Sequence, residues 1–76
     1  MSENLLVDTK GLLCPLPVIR AQDAAKALAP GDLVTVVATD PGTLHDIPAW
    51  TRVHGHTLQS AETLGQEYHF RIRING

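Results

Sequence analysis

The segment Cys14-Pro15-Leu16-Pro17 carries the chain's most promising chemistry. Cys14 is its single cysteine, and it stands where an amphipathic helix should begin. A first helical turn presents N–H groups without helical partners, here those of Leu16 and Val18, and the helix dipole adds partial positive charge. Both favour a sulfur anion, and thiols in such places fall from about 8.5 to roughly 3.5–7.5 in pKa. Pro15 and Pro17 stiffen the turn, so the expectation is an exposed nucleophilic thiolate on a rigid base, supported by Pro15, Leu16, Pro17 and Val18. The bland alternative is a small buried hydrophobe at a helix start.

Several kinds of cysteine chemistry are disfavoured by what is missing. A protease-like thiol needs a base and an oxyanion site, and His45, His54, His56 and His69 show no recognisable spacing to Cys14. A thiol oxidoreductase usually needs a resolving cysteine. His54-x-His56 alone is weak support for a metal, so none is assigned, and the histidines read as surface residues. What remains needs one thiolate: accept a group, hold it and pass it to another thiol.

The elements that must position this cysteine follow from the hydrophobic pattern. Leu5-Leu6-Val7 predicts a first strand over 4–8. Val18, Ala21, Ala25 and Leu28 form a helical stripe, with Arg20, Asp23 and Lys26 on another face. Ala29-Pro30-Gly31-Asp32 stops that helix. Leu33 to Thr39 suits a well-buried strand. After the turn Asp40-Pro41-Gly42-Thr43, in which Asp40 or Thr43 could cap, a second helix covers about 43–54. Its expected inward residues are Leu44, Ile47 and Val53. Pro48 must lie in its first turn or two, or split off a short tight turn. Thr57 to Thr63 is a weaker strand, and Leu64-Gly65-Gln66 is a hairpin loop. Tyr68, Phe70, Ile72 and Ile74 alternate with Glu67, His69, Arg71 and Arg73, predicting a last strand with one apolar and one wet face. The expected fold is therefore α+β: a two-layer α/β sandwich, βαβαββ, with a mixed four-stranded sheet and both helices on one face.

Composition narrows the function further. The chain has 76 residues, a net charge of −2 and no run of Lys or Arg. A single domain over 1–76 is expected, too small for deep enclosed pockets. Direct nucleic-acid binding is disfavoured, since phosphates demand clustered positive charge. One cysteine permits no internal disulfide, so the chain reads as intracellular. Residues 1–10 hold no apolar signal core, and no stretch approaches the roughly 20 apolar residues that span a bilayer.

Cys14-Pro15-Leu16-Pro17 resembles the signature of the TusA family of sulfur carriers, also called SirA-like proteins. Thr9-Lys10-Gly11-Leu12-Leu13-Cys14 is similar to the family's lead-in, and Pro30-Gly31-Asp32 to its helix-to-strand turn. Asp40-Pro41 followed by Asp46-Ile47-Pro48 resembles its second helix, and the strand from Tyr68 to Ile74 also fits. The resemblance covers about residues 5–74. It implies a sandwich like the C-terminal domain of bacterial initiation factor three, and a persulfide carried on Cys14. Sulfur would arrive from a cysteine desulfurase or a rhodanese-type protein and leave to a cysteine of a TusD- or DsrE-type partner. Implied destinations include tRNA 2-thiolation, sulfur oxidation, thiosulfate use and cofactor synthesis.

Three positions depart from patterns seen in some members. Leu16 stands where an acidic residue can lie, Trp50 occupies a region that can hold a second cysteine, and His45 replaces a frequent arginine.

The expected protein is a cytoplasmic monomer that requires no cofactor and inserts into no membrane. It would act as a sulfurtransferase-type carrier rather than a stand-alone turnover enzyme. Lys10, Arg20, Lys26 and Asp46 are candidate partner contacts, though each could instead be an ordinary surface or capping residue. The alternatives are an interaction or regulatory module with a structural Cys14, or a thiosulfate-handling partner of a membrane permease.

Overall fold

The computed structural model describes residues 4–75; Met1 to Glu3 and Gly76, part of the expected 1–76 domain, lie outside the described residues. The order is β1 (Asn4–Thr9), α1 (Leu16–Lys26), β2 (Leu33–Ala38), α2 (Thr43–Val53), β3 (Thr57–Leu64) and β4 (Glu67–Arg73). The strands form one mixed sheet in the order β1-β2-β4-β3. β1 and β2 are parallel, which requires a crossover, and α1 supplies it. β4 runs antiparallel to both of its neighbours. The expected α+β sandwich is the architecture found.

Register explains why one sheet face is covered. Val34, Val36 and Ala38 pair across with Ile72, Phe70 and Tyr68, placing them on one side of the pleat. That side joins Ala21, Ile47, Trp50 and Ile74 in a continuous core, with Val7, Val18, Ala25, Leu28 and Leu58 packed at its margin. The other side presents Thr35, Ser60, Glu62, His69 and Arg71 around a shallow depression. The alternation in β4 thus places Phe70 and Ile72 inward, while Arg71 and Arg73 are exposed.

α2 corrects the sequence reading. Ile47 is fully buried as expected, but Leu44 is half exposed and Val53 is 79% exposed. The inward residues are instead Thr43, Ile47, Trp50 and Thr51. They are spaced by four, three and one, which keeps them within one stripe of a 3.6-residue helix; Leu44 and Val53 fall to either side of it. The threonines can be buried because their hydroxyls are satisfied. Thr43 Oγ1 donates to the Asp40 carbonyl at 2.7 Å, and Thr51 Oγ1 donates to the Pro48 carbonyl at 2.7 Å. Pro48 lies inside α2, in its second turn, and the helix continues past it without a break.

Two turns tie the layers together. Gly11 has φ of 81°, a conformation favouring glycine, and its N–H donates to Thr39 Oγ1 at 2.9 Å. In the turn after α1, Asp32 Oδ2 accepts the Ala29 N–H at 2.8 Å. Gly31 and Ile74 lock the same turn to the chain's end, through Gly31 N to the Ile74 carbonyl at 2.7 Å.

At the far end of the helix pair, Trp50, His54 and His56 cluster beside a groove of about 300 Å³ that Gln22, Lys26 and Leu28 also line. The His54 and His56 rings stack with centroids 6.3 Å apart. His56 Nδ1 accepts the Asn75 N–H at 3.3 Å. Burial, and then the charge of His54, push the His56 pKa below its ordinary value. Below about pH 6.5 the unfolded chain therefore binds more protons than the folded one. The stability tied to neutral His56 is present above that value and is lost as pH falls through the depressed folded value. Urea midpoints are expected to drop between about pH 7.5 and about pH 5.5, and His56→Gln should flatten the drop. An equal drop in both proteins would remove His56 as its source.

Candidate functional site

Cys14 sits in the turn joining β1 to α1 and is exposed. Leu12 N donates to the Thr9 carbonyl at 3.1 Å and Leu16 N to the Leu13 carbonyl at 2.9 Å, so two successive turns carry the chain into the helix. Pro15 is the N-cap residue of α1, and its peptide bond with Cys14 is cis. Pro17 follows in the first helical turn, where a missing N–H costs little, and is buried.

The opposite wall of the site is the turn that opens α2. Asp40 Oδ2 accepts the Cys14 N–H at 2.6 Å, and Asp40 Oδ1 accepts the Gly42 N–H at 3.1 Å. One carboxylate thus clamps the cysteine backbone to the helix start. Gly42 lies so close that a Cβ there would meet Cys14 Cβ at 3.5 Å. From the first turns of α2, Asp46 Oδ2 accepts a hydrogen bond from the Cys14 thiol.

This arrangement overturns the expected electrostatics. The sulfur is accessible, but the Leu16 amide expected beneath it is not free, and the acidic groups around it oppose the anion. The Leu16 N–H is already bonded, and Pro15 and Pro17 have none to offer. The hydrogen bond to Asp46 is the main influence, followed by desolvation and by the negative charges of Asp46 and Asp40. Together they hold the Cys14 pKa above its ordinary value. The opposing carboxylates outweigh the helix dipole at this sulfur.

The other expected site residues are distributed unevenly. Asp46 is at the sulfur. Leu16 is exposed beside it, as is Leu13, and Leu44 is exposed on the first turn of α2. Val18 packs against the core and holds α1 in place. Lys10 is drawn away to Asp8 at 3.9 Å and Glu67 at 3.8 Å. Arg20 is exposed on α1. Lys26 pairs with Asp23 at 3.8 Å in the last turn, about 15 Å along the helix from its start, so the fold does not bring it to Cys14. Sequence reasoning treated Asp40 only as a helix cap. In the structure Gly42 is the N-cap residue of α2 and no side chain caps it. The Asp40-Pro41-Gly42 turn signal was visible, but its contact with a residue 26 positions earlier was not. Among the described residues no group of three or more His, Cys, Asp or Glu could hold a metal ion. No helix among them is long and apolar enough to cross a membrane.

The fold and site together define a small two-layer α+β domain that offers one exposed thiol and has no second cysteine. Residues 6–74 match the family model described as Sulfurtransferase TusA, and the chain belongs to that family. It is 37% identical to the sulfur carrier protein TusA of Allochromatium vinosum over 67 residues, covering 88% of each chain. It is 36% identical to the YrkI protein of Bacillus subtilis, covering 96% of this chain and 97% of that one. It is 32% identical to YrkF of the same organism over its whole length, but spans only 41% of that relative. Among solved structures it is similar to a SirA-like protein from Desulfitobacterium hafniense, with a TM-score of 0.82 and 25% identity, covering 95% of this chain and 99% of that one.

Proposed function

We propose that the chain is a cytoplasmic carrier that holds sulfane sulfur as a persulfide on Cys14 and relays it between protein thiols. The observation that carries this reading is the exposed Cys14 sulfur, fixed by the Asp40 clamp within the family's signature segment. Loading is attack by Cys14 Sγ on the outer sulfur of a donor persulfide. The new S–S bond forms as the donor's breaks, and the donor sulfur departs as a thiolate. Unloading is the same exchange in reverse, with an acceptor thiolate attacking the outer sulfur held on Cys14. No oxidant or cofactor enters the balance.

The donor is a cysteine desulfurase or a rhodanese-type protein, and the acceptor a TusD- or DsrE-type protein. The product sulfur serves tRNA 2-thiolation or sulfur-compound metabolism. Pro15, Pro17 and Val18 hold the turn, while Leu16, Arg20 and Lys10 lie on the exposed surface available to a partner. The domain acts as a single unit with no direct nucleic-acid contact. Intact-mass spectrometry after incubation with a cysteine desulfurase and cysteine tests the reading. The mass should rise by one sulfur atom, and a reductant should remove it. An unchanged mass with both desulfurase and rhodanese donors would sink it.

A further inference from the structure

The site holds its thiol in the less reactive of two states. Sulfur exchange proceeds through thiolate, yet the Cys14 thiol keeps its proton and donates a hydrogen bond to Asp46. The groups acting on that sulfur are Asp46 of α2 and Asp40 of the turn before it, and both are acidic. Lys10, the cation closest in sequence, is engaged with Asp8 and Glu67. Among the described residues no ion pair joins a cation to Asp40 or Asp46. Exposed Leu13, Leu16 and Leu44 belong to the same segments as Cys14 and Asp46. A protein seated there would strip water from the carboxylates, and a desolvated carboxylate without a cation is costly.

We propose that Asp46 keeps the Cys14 thiol of the carrier protonated at rest, and that a partner protein releases the thiolate by placing a lysine or arginine side chain on Asp46. This rests on the carrier reading and adds how the sulfur is switched on. At rest, Asp46 accepts the Sγ–H bond and the thiol stays protonated. When a partner cation pairs with Asp46, the thiol loses its acceptor and the local negative charge is neutralised. The Sγ proton passes to water. The thiolate then attacks the donor's outer sulfur, the donor S–S bond breaks, and its sulfur leaves as a thiolate that is protonated from solvent. The partner surface recognised is therefore basic and apolar, complementing the acidic pair and its leucine surroundings.

The experiment follows Cys14 alkylation by iodoacetamide across pH, with wild type, Asp46→Asn and Asp46→Glu. Asp46→Asn should react roughly tenfold faster at neutral pH, with its rate midpoint moved to lower pH. Asp46→Glu should restore the wild-type profile. Damage to the fold would not lower the midpoint and then be rescued by glutamate. Should Asp46→Asn fail to fold, Asp40→Asn removes the second charge and should shift the midpoint the same way by less.

The second arm compares two disulfide probes, cationic cystamine and anionic dithiodipropionate, read as mixed disulfide by intact mass. Wild type should prefer cystamine, and Asp46→Asn should lose most of that preference. An unmoved midpoint, or an equal preference in both proteins, overturns the proposal. If sulfur uptake occurs while the midpoint stays fixed, this inference alone falls. If the midpoint moves while no donor loads sulfur, the carrier reading falls instead.

Discussion

Phe70→Ala is expected to destabilise the chain by about 3–5 kcal/mol, the range for emptying a buried aromatic site. Phe70 is 1% exposed and sits on the central strand β4. It lies opposite Val36 of β2 and Ala61 of β3, so its ring fills the middle of the covered face. Few other residues can close the gap, because the core cluster consists largely of small or β-branched side chains such as Ala21, Val34 and Ile72. A domain of 76 residues has roughly 4–11 kcal/mol of stability in total, at about 0.05–0.15 kcal/mol per residue. The substitution should therefore remove a large part of it. Urea unfolding followed by fluorescence of the single buried Trp50 reads the change directly. Phe70→Leu, which keeps most of the volume, should cost less than about 1.5 kcal/mol. A loss below about 1 kcal/mol for the alanine variant would show that this site is not the centre of the core.

Cys14→Ser is expected to abolish sulfur uptake completely while leaving stability within about 0.5 kcal/mol of wild type. The two effects separate because of where the atom lies. The sulfur is exposed and contributes no core packing. The clamp from Asp40 reaches the Cys14 backbone N–H, which serine retains. The serine hydroxyl can also donate to Asp46 as the thiol does. A hydroxyl cannot hold sulfane sulfur, so nothing replaces the lost chemistry. Intact mass after donor incubation and urea midpoints on the same samples check both halves. Uptake that persists in the serine variant would move the carrier function off Cys14.

The architecture was legible because its strongest signals are local. The period-two pattern from Tyr68 to Ile74 identifies both the strand and its buried face, and the register with β2 bears it out. The stripe through Val18, Ala21, Ala25 and Leu28 likewise turns towards the core. α2 was harder because hydrophobicity was weighted above phase. Leu44 and Val53 are apolar, yet they flank the stripe that Thr43, Ile47, Trp50 and Thr51 form. Buried threonines are invisible to hydrophobicity until their hydroxyls are seen bonded to backbone carbonyls. The exposed cysteine and its family signature were legible too. Its electrostatics were not, because the deciding carboxylates are distant in sequence. The helix-terminus argument used only the neighbours of Cys14, and Asp40 and Asp46 reach it through the fold.

The Asp40 clamp and the Asp46 contact span 26 and 32 residues of chain respectively. Neither exists until β2 and the start of α2 have assembled beside β1. A newly made or unfolded chain therefore carries a thiol of ordinary acidity, and folding itself quiets it. Thiol reactivity thereby becomes a report on folding: the unfolded chain is the more open to alkylation at Cys14, and closure of the acidic turn around it lowers that reactivity.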